Sequence, residues 1–386
     1  MRISVTIGLG IGLFIANAAL ATPAANGPRP LSMTSHGEAF QWGIIPRTVT
    51  REQVDALRPS VLPRVVQERG VLWAREHSRT KLSLSSRPQA KQSALYVTDD
   101  SGYIFVMDTG GTKVLNSLSD CNGPEGAKVD HRGDLWVACT NSSTINMYKP
   151  GATAATLTLN DSISGLPYFV SDVAFDKAGN LYAASLYAYF CSSSGCTFMP
   201  GQLSYWTPAN LCNGCMPSGQ VNDPNLNGEA FFLDSTQAGV LYVDYYGCIG
   251  SSNCGYALDQ IQQPLTKPAV TTPIPFGQIG YPGGVYIDKS QDINVLDQSS
   301  GVMTQYNANP FGILKVRQAS PQNIQGTCDP VAFGFNLKGD IAMGDSGCHA
   351  LVLGKPILSA PWVVWTDKFN IDFSLPVSGA YLPSDK

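Results

Sequence analysis

The chain of 386 residues is poor in charge: Asp, Glu, Lys and Arg make up 14% of it, and it has only four histidines. Globular domains average roughly 25% charged residues, so long salt-bridged helices are excluded. The 29 acids outnumber the 25 bases. That balance leaves no cationic surface for a nucleic-acid partner. After the N-terminus there is no apolar run long enough to span a membrane. What fills the gap is Gly (38), Pro (26) and Tyr (16), with Ser, Thr and Asn. This composition suits many short strands joined by turns.

The one long apolar stretch is MRISVTIGLGIGLFIANAALA. Arg2, the apolar core and the small-x-small end at Ala19–Ala21 predict a secretory signal cleaved after Ala21. The GLGIG inside it follows no strand, so it is not a dinucleotide loop. No cysteine follows it, which argues against a lipoprotein. Loss of Arg2 makes the mature chain one unit more negative than −4. The expected location is secreted, periplasmic or extracellular, with a monomer expected. Ten cysteines after the signal, an even number, read as disulfides in an exported protein.

The stretch GPEGAKVDHRGDLWVACT (residues 123–140) has four echoes. They are SDVAFDKAGNLYAAS (171–185), GEAFFLDSTQAGVLYVD (228–244), GGVYIDKSQDINVLD (283–297) and VAFGFNLKGDIAMGD (331–345). Each is an alternating strand, an acidic or amide turn residue (Asp130, Asp176, Asp234, Asp288, Asn336), and a second strand. ALYVTDD (94–100) is a sixth second strand with no partner before it. Copies recur every 40 to 60 residues or so, the period of propeller blades. Further alternating strands such as TINMYKP and ATLTLN complete four per unit. The expectation is an all-β, six-bladed propeller over residues 93–386. The tail LPVSGAYLPSD (375–385) should supply the missing inner strand and remove the open sheet edges. Residues 22–92 form an N-terminal extension, with one or two short helices within Thr50–His77 broken by Pro59 and Pro63.

On this plan Cys121 and Cys139 flank one hairpin, and Cys328 and Cys348 flank another, so each pair can bridge. Cys191 with Cys196, Cys212 with Cys215, and Cys248 with Cys254 would staple loops. The Cys212–Cys215 motif also admits a zinc or redox reading; neighbouring cysteines could complete the first, while the second lacks a βαβ context.

GAKVDHRGDLWVA and DVAFDKAGNLYAA resemble NHL-type six-bladed propellers, and are similar to the superfamily of regucalcin, gluconolactonase-like enzymes and the virginiamycin B lyase group. That resemblance covers about residues 93–386 and implies a fold rather than an activity. In the gluconolactonase-like enzymes acidic and Asn residues at one channel mouth hold a metal. Here Glu125, Asp172, Asn227, Glu229 and Asp329 fall on that face. They admit two readings: a Ca²⁺ or Mg²⁺ site able to polarise a lactone or ester, or solvated loop acids. Asp100, Asp244, Asp297 and Asp345 end the second strands and read as structural. GDSGCHA (344–350) imitates a serine-protease loop but is a copy of the repeat, and no partner histidine has the right context. His349 is the single histidine expected on the channel face and the one candidate general base. Tyr187, Tyr189, Phe190, Tyr245, Tyr246, Tyr256 and Tyr281 fall on loops, with YAYF and DYYG in the stapled ones, and admit two readings: a rigid aromatic ligand rim or ordinary propeller packing. The leading expectation is a binding scaffold for a small molecule, a glycan or a protein. A metal-dependent lactonase, esterase or lyase, and a structural envelope component, are the rivals.

Overall fold

A computed structural model describes residues 48–49, 60–62, 67, 93–163, 165–192, 195–249, 253–318, 329–354, 362–365 and 373–382. The signal sequence, most of the N-terminal extension with its expected helices, Cys328 and Asp385 lie outside the described residues. Everything regular among those described is strand, apart from two single-turn 3₁₀ segments and the helical residue Gln67.

The strands fall in chain order. β1 (Thr48–Val49) precedes β2 (Ala94–Asp99), β3 (Tyr103–Met107) and β4 (Val114–Leu118). The opening repeat gives β5 (Pro124–Val129) and β6 (Leu135–Cys139), followed by β7 (Thr144–Tyr148) and β8 (Leu157–Asn160). Next come β9 (Ser162–Ile163), β10 (Leu166–Phe175), β11 (Leu181–Ser192), β12 (Gly195–Trp206) and β13 (Gly219–Val221). Then come β14 (Glu229–Ser235), β15 (Leu241–Ile249), β16 (Asn253–Gln262) and β17 (Ala269–Ile279). They are followed by β18 (Pro282–Ile287), β19 (Ile293–Asp297), β20 (Val302–Ala308) and β21 (Phe311–Gln318). Last are β22 (Pro330–Phe335), β23 (Ile341–Asp345), β24 (Ala350–Gly354), β25 (Trp362–Trp365) and β26 (Pro376–Leu382).

Where six separate sheets were expected, pairing gives five. Four stand alone and carry the hairpins β5–β6, β10–β11, β14–β15 and β18–β19. The fifth has eight strands, because β23 and β26 touch at one pair, Met343 opposite Ser378, and so join two four-stranded groups. The tail behaves as expected: β26 pairs antiparallel with β2 from Ala94 opposite Leu382 to Asp99 opposite Pro376. The inner strands contact one another in a closed cycle, β26, β5, β10, β14, β18, β22 and back to β26. This is a propeller arrangement.

Each inner strand carries a register shift near its start, as between Pro124 and Ala127, Pro282 and Val285, or Pro330 and Phe333. A bulge adds twist, which splays each sheet outward from the axis. Apolar residues on facing sheets fill the wedges between them. Ala127, Val129 and Leu135 meet Tyr96 and Ile104 in one, and Ala174 and Leu203 meet Leu233 and Val243 in another.

The hairpin turns share one construction. Asp130 Oδ1 accepts the Arg132 and Asp134 amides at 2.9 and 3.0 Å. Asp288 and Asn336 repeat this, and Asp176 Oδ1 accepts the Asn180 amide. The fourth turn residue has φ near +80°, supplied by Gly133, Gly179, Gly239 and Gly339, where a side chain would be strained. The turn after β14 departs from the expectation. Thr236, not Asp234, holds it, accepting the Val240 amide at 3.1 Å. That repeat is two residues longer, so Asp234 stays inside the strand.

The second-strand acids are structural. Asp244, Asp297 and Asp345 accept the amides of Phe232, Tyr281 and Asp329. In the β2 unit, however, Asp99 rather than Asp100 has this role, holding the Ser374 and Leu375 amides.

Candidate functional site

The inner strands run between two mouths of a central channel. At the mouth where they begin, the candidate acids Glu125, Asp172 and Glu229 are buried and Asp329 is half-buried. Glu125 is fully buried, and its Oε1 accepts the Val61 amide at 2.8 Å. Ser60 Oγ donates to Asp100 Oδ2 at 3.2 Å, and Gln298 Nε2 donates to the Val61 carbonyl at 3.4 Å. Val61 and Leu62 are themselves fully buried, packed with Phe169, Tyr187, Phe231 and Tyr281. A piece of the N-terminal extension therefore plugs this mouth. Farther out, β1 pairs with β12 at Thr197 and Cys196, on the hairpin that carries Tyr187 and Tyr189.

The expected aromatic rim is corrected by the same packing. Tyr187, Tyr245, Tyr256 and Tyr281 are buried, and Tyr189 and Tyr246 are half-buried; the Phe190 side chain lies outside what is described. Phe231, Tyr256 and Tyr281 pack mutually with ring centroids 5.3 to 6.0 Å apart. Glu229 sits among these rings: burial first, then the nearby Glu229 carboxyl, raises the Tyr187 and Tyr256 hydroxyls far above their usual range. Burial pushes Glu229 itself up to about 8. Glu125 is also held well above the usual carboxylate range, by burial and then by Asp100.

The remaining candidates are engaged separately. The Asn227 amide clamps the Cys248 backbone, Nδ2 donating to its carbonyl and Oδ1 accepting its amide, both at 2.8 Å. The Asp329 backbone bonds to Asp345 and Ser346. His349 Nδ1 lies 2.6 Å from the Ser374 carbonyl, and Ser346 Oγ donates to the Pro376 carbonyl. The serine and histidine of GDSGCHA thus serve backbone carbonyls rather than each other. Among the described residues no cluster of three or more His, Cys, Asp or Glu has metal-binding geometry. The acids named from the sequence therefore do not fit a catalytic divalent ion: a main-chain amide occupies Glu125, and Asp172 lies deeper, against a lysine.

Four of the expected disulfides are present: Cys121–Cys139, Cys191–Cys196, Cys212–Cys215 and Cys248–Cys254, with Cα separations of 5.2, 3.9, 5.3 and 3.9 Å. The Cys212–Cys215 motif is a staple, neither a zinc ligand pair nor a free dithiol. Cys348 is also disulfide-bonded.

At the opposite mouth, where the hairpins turn, a cavity of about 360 Å³ opens. Lys128, Phe175, Lys177, Asp234, Ile287 and Lys289 are among its lining residues. Lys128 is its polar centre. Its Nζ reaches across the channel to donate to the Val285 carbonyl at 3.2 Å. It stands 4.0 Å from both Asp172 Oδ2 and Asp234 Oδ2, and 4.8 Å from the centre of the Tyr286 ring. Asp234 Oδ2 also accepts the Ile287 amide at 2.7 Å. Burial raises Asp172 to about 6, and Lys128 limits the rise. Gly126 makes room for this group, since a Cβ there would lie 2.1 Å from Asp172 Oδ1.

Sequence reasoning passed over Lys128, although a signal existed. Lys128, Ala174, Asp234, Tyr286 and Gly334 each pair with the second residue of the following strand. Aligned by strand register rather than by the first acid, Lys128, Asp234 and Tyr286 occupy one repeat position and meet around the channel.

No protein-family model matches the chain, and no curated protein does. Among solved structures, a chain of the nidogen/laminin complex is 10% identical, with a TM-score of 0.51, covering 75% of this chain and 98% of that one. A protein of unknown function from Bacteroides caccae is 9% identical with the same TM-score and coverage. Virginiamycin B lyase from Staphylococcus aureus is 9% identical, covers 71% of this chain and 74% of its own, and has a TM-score of 0.40, too low to carry an argument. At such identities the first two likenesses support the propeller fold alone.

Proposed function

We propose that the chain is an exported six-bladed propeller acting as a binding scaffold, taking a small hydroxyl-rich ligand, a sugar foremost, at its open mouth. The observation that carries this is the cavity of about 360 Å³ around Lys128, within the range of roughly 300–1,000 Å³ usual for small-ligand sites. Mixed lysines and acids offer both donors and acceptors to hydroxyl groups, and Phe175 offers an apolar face. Six blades are supported by the closed cycle of six inner strands, the eight-stranded sheet counting as two blades joined at one residue pair. The domain plan is a signal over 1–21, an extension over 22–92 and the propeller over 93–386. Export rests on the leader and the disulfides; the NHL and gluconolactonase-like kinship rests on the repeat pattern.

The test is a thermal-shift and calorimetric screen of the mature protein against mono- and disaccharides. A saturable ligand should be found whose affinity falls at least tenfold in Lys177→Ala, an exposed position on the cavity wall. No saturable sugar, or one indifferent to both Lys177→Ala and Lys128→Met, overturns the reading.

A further inference from the structure

Away from both mouths, the sheet β14–β17 and the loop after β13 bury a second pair of acids. Asp259 on β16 is fully buried, and Asp223 in the loop is 9% exposed. Asn225 bridges them: its amide N–H donates to Asp223 Oδ1 at 2.9 Å, and its Nδ2 donates to Asp259 Oδ2 at 2.8 Å. The same Nδ2 reaches Thr272 Oγ1 at 3.3 Å. One oxygen of each carboxylate is thus satisfied. The other two, Asp223 Oδ2 and Asp259 Oδ1, are buried without a hydrogen-bond partner. An independent group faces the same place. The Tyr245 hydroxyl, on a fully buried side chain, lies beside Asp259, Asp223 and Thr272 but makes no hydrogen bond of acceptable geometry. Among the described residues no salt bridge reaches either acid.

Two buried carboxylates side by side are costly unless a proton or a cation lies between them. Burial and then Asp259 raise Asp223 above the usual carboxylate range. The oxygens that meet here are all hard: two carboxylates, a phenol and the threonine hydroxyl that also accepts from Asn225. That set selects against soft, nitrogen- or sulfur-seeking metals. It is irregular and carries only two charges, which suits calcium, with its six to eight ligands in flexible geometry, better than octahedral magnesium.

We propose that Asp223 and Asp259, with the Tyr245 hydroxyl and Thr272 Oγ1, form a calcium site at the outer part of this sheet, water completing the shell. It ties the loop after β13 to β16 and β17 and is separate from the ligand cavity. Two carboxylates place its Kd in the range of extracellular modules, roughly 10⁻⁴–10⁻³ M.

The test uses the full mature chain, stripped with a chelator and dialysed. Calorimetric titration with CaCl₂ should show one site, with MgCl₂ at least tenfold weaker, and melting temperature should rise with CaCl₂ up to 10 mM. Asp259→Asn and Asp223→Asn should each weaken calcium at least tenfold. Asp108→Asn, in an exposed turn remote from the pair, should leave it unchanged. Absence of calcium heat and of any thermal shift in the wild-type protein overturns the site without needing a variant. A saturable response that survives both Asp→Asn substitutions overturns it equally, since the ion would then lie elsewhere. Sugar binding is measured in the chelated protein, so failure of the scaffold reading and failure of this one remain distinguishable.

Discussion

The two mouths of the channel bury acids in opposite ways. At the open mouth Asp172 and Asp234 share Lys128, and burial lifts Asp172 only to about 6. At the plugged mouth Glu229 lies among tyrosines, its shift set by burial alone, and rises to about 8. One end therefore buries its acids beside a cation. The other buries acids raised above the usual carboxylate range beneath a lid made by the chain itself. The same inner strands run between both ends, so the difference comes from what stands opposite each acid: an amine in one case, a main-chain amide or aromatic edge in the other.

Removing the amine should have the largest effect. Lys128→Met leaves Asp172 and Asp234 buried without their cation, and breaking such a pair costs about 3–5 kcal/mol. Denaturant unfolding at pH 8 should show that loss. At pH 5 the loss should shrink, because Asp172 can then take up a proton. Equal destabilisation at both pH values would mean that Lys128 acts through packing and not through charge.

Disturbing the lid comes next. Val61→Asp places a second carboxylate beside Glu125 in a fully buried site. The segment can respond by undocking, so the cost is capped by the burial of Val61 and Leu62, about 3–6 kcal/mol. Hydrogen exchange at the amides of residues 60–62 should rise to that of open chain while the inner strands stay protected. Retained protection of the Val61 amide in the variant would refute the plug.

Much of this plan is legible in the sequence, and the exceptions have physical causes. The hairpins are visible because an Asx turn needs a particular residue at a particular spacing, and the closing tail because its Pro-Val-Ser-Gly-Ala (376–380) resembles the Pro-Glu-Gly-Ala of residues 124–127. The disulfides follow from hairpin geometry. Asp234 was misread because a longer repeat moved its turn to Thr236, and sequence shows an acid before a turn without showing which residue bends. Lys128 was hidden because its partners Asp172, Asp234 and Val285 come from three other units. The tyrosines in the stapled hairpins could not be placed as core or rim, since the lid that buries them lies more than 100 residues earlier in the chain. Glu125 is visible as a residue at the start of an inner strand, but nothing local shows that the Val61 backbone amide would reach its carboxylate.

The smaller of the electrostatic effects separates the two mouths by pH. Glu229 has a folded value of about 8 against 4.5 unfolded, so the folded state binds the extra proton. Its contribution is fully present below about pH 4.5 and is lost as pH rises toward 8. Wild-type stability should therefore fall across that interval. Glu229→Gln, which keeps the shape and cannot ionise, should flatten the fall, by at most about 5 kcal/mol, and the melting temperatures of the two proteins should converge at pH 5. A parallel pair of curves would mean that Glu229 is already ionised in the fold and that a cation lies near it.

Least in size, but sharpest for the repeat itself, is the turn after β14. Thr236→Val removes the hydroxyl that accepts the Val240 amide, and Asp176→Ala removes the equivalent carboxylate in the preceding hairpin. Thr236→Val should cost about 1 kcal/mol, as for other local side chain–backbone bonds, and Asp176→Ala more, because Asp176 Oδ2 also accepts the Asn180 side-chain amide and the Tyr182 hydroxyl. Asp234→Asn should behave differently. It keeps the acceptor for Ile287 but withdraws a charge from Lys128, so it should destabilise while Lys128 is present and stabilise in the Lys128→Met background, where it removes a buried charge left without its cation. A double-mutant cycle between these two positions measures that coupling. An additive cycle would return Asp234 to its turn and detach it from the channel.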